Sequence, residues 1–203
     1  SHGEHFTIAM DDTDLMSTRV SASEVALATM TSARLGSRAG SEWLIGGYGM
    51  GFTLRAALGT IDADARVTVA ELVPEIIQWG RGPMQALTGN CLDDARVLLV
   101  NQDVAILIGA ADDAYDAILL DVDNGPEGLS SRSNDYLYSA RGLKEAFGAL
   151  KADGILAIWS AFADARFVAR LEAAGFDVTE VEVRDGPEAG GDMHILWFAR
   201  KRA

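Results

Sequence analysis

From residue 42 onward, short apolar runs alternate with longer stretches whose apolar positions recur at helical spacing. The runs are WLIGG (43–47), RVTVAEL (66–72), RVLLVNQD (96–103), YDAILLDVD (115–123), GILAIWSA (154–161), FDVTEVEV (176–183) and DMHILWFA (192–199). The first five are continuously apolar, the pattern of strands covered on both faces. The stretches between them predict helices over 51–59, 74–88, 104–110, 136–151 and 162–174, the last stopped by Gly175. Strand–helix alternation predicts an α/β fold: a doubly wound, mostly parallel seven-stranded sheet in three layers. A Gly-rich turn (Gly186, Pro187, Gly190, Gly191) instead of a helix separates the last two runs. It predicts a C-terminal hairpin carrying one antiparallel strand.

Residues 1–40 read as a separate lead-in, and 41–203 as the domain. The lead-in opens with Asp11, Asp12 and Asp14 and carries a helix-like run with Ser21 or Ser23 as candidate N-cap. Val25, Ala26, Ala28, Thr29 and Met30 lie inside that run, and the turn-rich stretch from Arg34 to Gly40 ends it.

The chain has 203 residues, of which 49% are hydrophobic and 23% charged, so it can build a core and is no disordered segment. Its 30 Asp and Glu outweigh 17 Lys and Arg, for a formal charge of −13, which argues against nucleic acid and anionic membrane as partners. No apolar run approaches the roughly 20 residues of a membrane span. Cys91 is the only cysteine, so no internal disulfide can form and a cytoplasmic setting is expected.

The densest motif is Gly46-Gly47-Tyr48-Gly49-Met50-Gly51, which follows the first long apolar run and opens a helix. Gly47, Gly49 and Gly51 give G-x-G-x-G. This is neither the dinucleotide G-x-G-x-x-G nor a P-loop, since no Lys-Ser/Thr follows. Such a loop lets the backbone approach a ligand at the carboxyl end of a strand. Glu71, at the tip of the next strand with Leu72 beside it, can accept hydrogen bonds from both hydroxyls of a ribose. Asp103, followed by Val104, is placed to accept from an adenine amino group, and equally to cap the following helix. Together these residues outline a site for an adenosine without phosphate.

A second feature is acidic. Residues 111–135 hold seven acids (Asp112, Asp113, Asp116, Asp121, Asp123, Glu127, Asp135) against Arg132 alone. An apolar strand delivers Asp121 into the crevice. There a carboxylate can bind an amine and take its proton, with Asp123 on the same side. Asp112, Asp113 and Asp116 read as a solvated loop, and 125–134 as a polar cover over the site. His194 reads as structural, Cys91 as incidental and Trp43, Trp79 and Trp197 as core or interface. Trp159 carries the same reading and, at the end of the fifth strand, the alternative of lining an acceptor pocket. His2, His5 and His194 show no ligand spacing, so no metal is expected.

The segments LIGGYGMGFTLRAAL, VTVAELVPEII, VLLVNQDV and YDAILLDVDNGPEGL resemble the spermidine synthase family, within the class I S-adenosylmethionine-dependent methyltransferase fold. The lead-in LMSTRVSASEVALA resembles the segment that precedes the nucleotide domain in bacterial relatives. The resemblance implies a methyltransferase-type, Rossmann-like domain. Gly47, Tyr48, Gly49, Met50 and Gly51 would carry the donor's tail, Glu71 and Leu72 its ribose, and Asp103 and Val104 its adenine. Asp121 would be the base, also close to the donor, and Asp123 and Trp159 would face the acceptor. The implied donor is decarboxylated S-adenosylmethionine or S-adenosylmethionine, and the implied acceptor a small amine such as putrescine. A homodimer is a further expectation. Gly49 stands where the family carries an Asp, D-x-x-D-P becomes D-V-D-N-G-P, and only a short segment stands where the family has a β-rich amino-terminal domain. Three readings therefore remain open: an aminopropyl transferase, a methyltransferase of unspecified acceptor, and a non-catalytic nucleoside-binding module.

Overall fold

The computed structural model describes residues 6–10, 13–17, 21–122, 125–126, 134–185 and 191–202. The lead-in holds more than the expected helix. β1 (Thr7–Met10) and β2 (Thr13–Ser17) form an antiparallel pair before α1 (Ala22–Leu35).

The main sheet is built from β3 (Glu42–Gly46), β4 (Arg66–Ala70), β5 (Val97–Val100), β6 (Tyr115–Leu120), β7 (Leu150–Ser160), β8 (Phe176–Arg184) and β9 (Met193–Lys201). Its order is β5-β4-β3-β6-β7-β9-β8, and β9 alone runs antiparallel to the rest. Each of the seven strands overlaps an expected run, but β7 begins at Leu150, four residues before its run and inside the stretch expected to be helical over 136–151. From β3 the chain builds outward to β5, then returns to lay β6 on the other side of β3. A ligand crevice in this class of sheet lies at that reversal, beyond the carboxyl ends of the strands.

Strand alternation sorts the apolar runs between two faces. Leu44, Ile118, Leu120, Leu156, Ile158 and Trp197 pack with α4 (Val104–Gly109), α5 (Ala140–Ala149) and α6 (Ala165–Ala174). Trp43, Ile45, Val67, Val69, Ala117, Leu119, Ile155, Ala157 and Leu196 pack with α1 and α2 (Phe52–Leu58). The lead-in helix is thus one of the layers of the fold.

The helix expected over 74–88 is two pieces, α3 (Pro74–Arg81) and a 3-10 turn at Gln85–Thr88. Gly82 and Pro83 interrupt it. Gly80 is required, because a Cβ there would run into the Tyr48 ring. Gly175 ends α6 with φ +109°, the left-handed stop its sequence position implied.

Asp116 departs from its expectation. It is not solvated but 4% exposed. It accepts from Lys151 Nζ at 2.7 Å, Arg38 Nη1 at 3.0 Å and the Glu42 amide at 2.9 Å, at the end of the sheet away from the crevice. Burial pushes its carboxyl up, but these donors outweigh that and hold it below the usual range.

Candidate functional site

The glycine loop turns between β3 and α2. Gly47, Gly49 and Gly51 have φ of +85°, +53° and +81°, in the left-handed region that favours glycine. A Cβ on Gly47 would collide with the Asp121 carbonyl, and one on Gly51 with the Tyr48 ring and Thr88. The loop is therefore pressed against the tip of β6 on one side and the α3 layer on the other. The side chains of Tyr48 and Met50 are 4% and 1% exposed and anchor the loop from below. A ligand on the loop meets their main chain. Burial pushes the Tyr48 phenol well above its ordinary range, and its hydroxyl lies 3.8 Å from Cys91 Sγ. Cys91 is thus part of the loop's support.

Glu71 follows β4 and is 5% exposed. Its Oε2 accepts from the Tyr48 amide at 2.9 Å and its Oε1 from the Val73 amide at 2.8 Å. The carboxylate is fixed against the loop, and each oxygen retains a second lone pair for a hydroxyl donor. Asn101 Nδ2 pins the same strand tip, donating to the Glu71 carbonyl at 2.7 Å and that of Leu72 at 3.2 Å. Leu72 is 56% exposed, an apolar rim beside the carboxylate.

Asp103 is the N-cap of α4, accepting from the Ala105 amide at 2.9 Å, so the capping alternative is realised. A cap uses one lone pair and leaves others for a ligand. Val104 is buried under the loop, its methyls 3.0–3.1 Å from where a Gly46 Cβ would stand.

Asp121 directly follows β6. In the alternation 117, 119, 121 it shares the α1–α2 face of the sheet. Its Oδ2 accepts from Thr53 Oγ1, in the first turn of α2, at 2.8 Å. Thr53 is 3% exposed. The same alternation puts Trp159 on that face at the end of β7, its ring 4.8 Å from the His194 ring and its Nε1 buried with no partner among the described residues. Asp123 and most of the acidic stretch after it lie outside the described residues.

Two residues that sequence reasoning left out stand on the same wall. Asp185, after β8, is 3% exposed and lies 2.7 Å from His194 Nε2. Its Oδ1 accepts from the Ser23 amide at 2.8 Å, which caps α1 from 162 residues away, while Ser21 at the N-cap position makes no side-chain cap. Glu24, 8% exposed in the first turn of α1, lies close enough to Asp121 and Asp185 to feel both charges. Burial first, then Asp121, pushes its carboxyl up to about 7. One signal was available: Glu24, Leu27 and Ala28, Thr31 and Leu35 form the buried stripe of α1, and an acid on such a stripe is not a solvated one.

The sheet order, the loop and the acid after β4 define the class I S-adenosylmethionine-dependent methyltransferase fold. Among solved structures, the spermidine synthase of Thermotoga maritima matches with a TM-score of 0.76 at 20% identity, over 96% of this chain and 65% of that one. A spermidine synthase bound to the transition-state analogue AdoDATO matches at 0.73 and 19%, over 96% and 64%. The precorrin-6Y C5,15-methyltransferase of Geobacter metallireducens matches at 0.57 and 16%, over 85% and 87%. The chain spans just under two thirds of the two spermidine synthases. No family model matches the chain, and no curated protein matches it in sequence. At these identities the likeness establishes a shared fold. Among the described residues, no helix is long and apolar enough to cross a membrane.

Proposed function

We propose that the chain is a transferase that binds a sulfonium nucleoside of the S-adenosylmethionine type and passes its aminopropyl group to a small amine. The observation that carries this reading is the pairing of two fixed carboxylates across one glycine loop. Glu71 is held by the Tyr48 amide on one side, and Asp121 by the Thr53 hydroxyl on the other. The cradle fits such a donor, for its glycines keep side chains out of the loop, Glu71 offers free lone pairs to a ribose and Leu72 gives an apolar rim. The donor supplies a carbon activated by its sulfonium. Everything else falls to the chain.

The loop and Glu71 would orient the nucleoside, and Asp121 would hold the acceptor nitrogen in line with the reacting carbon. The nitrogen lone pair forms the new C–N bond while the C–S bond breaks, its electron pair leaving with methylthioadenosine. The proton lost by nitrogen goes to Asp121. Thr53 fixes the acceptor oxygen geometry for that transfer.

Methyl transfer from S-adenosylmethionine is the second reading, and Gly49 favours it. At that position the loop offers no carboxylate to the amine of a decarboxylated tail, which leaves a carboxylated tail unopposed. Incubation with decarboxylated S-adenosylmethionine and putrescine tests the first reading through release of methylthioadenosine. Calorimetric preference for S-adenosylmethionine, without that release, supports the second. Nucleoside binding with no turnover of either donor across an amine panel leaves only a binding module.

A further inference from the structure

At the carboxyl end of the sheet, four neighbouring strand ends place polar side chains on the face that α1 covers. They are Asp121 after β6, Trp159 in β7, His194 in β9 and Asp185 after β8. The first turn of α1 closes this wall with Ser23 and Glu24. Ser23 Oγ lies 2.8 Å from Glu24 Oε2 and 3.0 Å from Asp185 Oδ2. A hydroxyl carries one hydrogen, so it can donate to only one of the two carboxyls. The other contact needs a proton on a carboxyl. Asp185 already takes the Ser23 amide on Oδ1 and meets His194 Nε2 through Oδ2. The proton therefore belongs on Glu24, beside the negative Asp121. Two further buried atoms of the wall, His194 Nδ1 and Trp159 Nε1, have no partner among the described residues. A structural tie between α1 and the hairpin would account for Ser23 and Asp185. It does not account for a second acid buried next to the first.

We propose that Glu24 is the second carboxyl of the acceptor side. It holds a proton while that side is empty and releases it when a cationic nitrogen of the acceptor settles beside Asp121. The inference deepens the transferase reading and rests on it. An ammonium next to Glu24 stabilises the carboxylate, so binding is Glu24–COOH plus R–NH3+ giving the ion pair plus one proton to solvent. Among the described residues, the charged groups that act on Glu24 at this end are Asp121 after β6 and Asp185 after β8, and His194 of β9 lies against Asp185. Arg34 and Arg200 stand at the far end of α1, where Arg200 Nη2 donates to the Arg34 carbonyl at 2.6 Å.

The test is calorimetric titration of putrescine into protein preloaded with methylthioadenosine, in buffers of different ionisation enthalpy, from pH 6 to pH 8. The wild type should release most of one proton per putrescine at pH 6 and almost none at pH 8. Its affinity should tighten about tenfold across that range, since one linked proton contributes up to tenfold per pH unit. Glu24→Gln should bind with no proton release and a flat profile. A flat wild type, a Glu24→Gln protein that still releases the proton, or putrescine that fails to bind the loaded protein would each overturn the inference. If methylthioadenosine itself does not bind, the transferase reading falls first, and the preloading step reports that separately. An infrared difference spectrum of the wild type needs no variant. Putrescine should remove a protonated-carboxyl band, and an unchanged band contradicts the proposal.

Discussion

Thr53 Oγ1 donates to Asp121 Oδ2 at 2.8 Å, joining the first turn of α2 to the tip of β6 across the mouth of the crevice. The bond fixes the carboxylate's orientation with a side chain that cannot itself titrate. Thr53→Val keeps the shape and removes the donor. A hydrogen bond to a charged group contributes roughly 1.5–3 kcal/mol, so turnover should fall about 10- to 100-fold. Methylthioadenosine affinity should hardly move, because Thr53 touches the base and not the nucleoside side. Steady-state kinetics beside calorimetry separates the two.

Glu71 supports the loop and, in the proposed function, grips the ribose. Glu71→Ala should weaken methylthioadenosine binding by about 2–4 kcal/mol, from two lost charge-assisted acceptors that do not add fully. The same change strands the amides of Tyr48 and Val73, so it should also lower the urea midpoint. Binding altered by less than tenfold would show that Glu71 is a structural brace only.

Gly47 sits at φ +85° with the Asp121 carbonyl where a Cβ would be. Gly47→Ala imposes the left-handed penalty of roughly 1–2 kcal/mol and forces the loop off β6. Chemical denaturation should show at least that loss, and nucleoside binding should fall with it.

The raised carboxyl of Glu24 makes stability depend on pH. Its value in the folded protein is about 7 against an ordinary 4.5, so the folded state binds its proton more tightly. The resulting stability is fully present below 4.5 and is lost as pH rises through 7. The melting temperature of the wild type should therefore decline between pH 4.5 and 7 relative to Glu24→Gln, which cannot ionise. Parallel curves for the two proteins would contradict a raised Glu24.

Asp116 has the opposite sign. Its carboxyl is held low by Lys151, the Glu42 amide and Arg38 against the effect of burial, so its contribution is present above the ordinary carboxylate range and fades as pH falls. Asp116→Asn should lower the melting temperature at pH 7 and lose that difference in acid.

The strand pattern was legible because each apolar run feeds both faces of a buried sheet, so composition alone marks it. The placement of the glycine loop, Glu71 and Asp121 at one rim was legible because strand ends deliver side chains there, and their roles belong to the proposed function. Asp103 showed both its readings at once, and the cap is the one the fold realises. What stayed hidden depends on tertiary contact. Asp185 and Ser23 meet across 162 residues, which no local periodicity can report. Asp116 read as a solvated acid because its partners, Arg38 and Lys151, come from distant parts of the chain. The pairing of β1 and β2 escaped because their runs are short and lie in a stretch read as an acidic patch before a helix. Glu24 was the recoverable omission, since its place on the α1 stripe is a sequence fact.

The most direct measurement is a crystal structure of the protein soaked with methylthioadenosine. The account expects the nucleoside across the glycine loop, both ribose hydroxyls within about 3.2 Å of the Glu71 carboxylate, and the sulfur facing Asp121. A nucleoside lodged elsewhere, or one on the loop with its ribose turned away from Glu71, would contradict it.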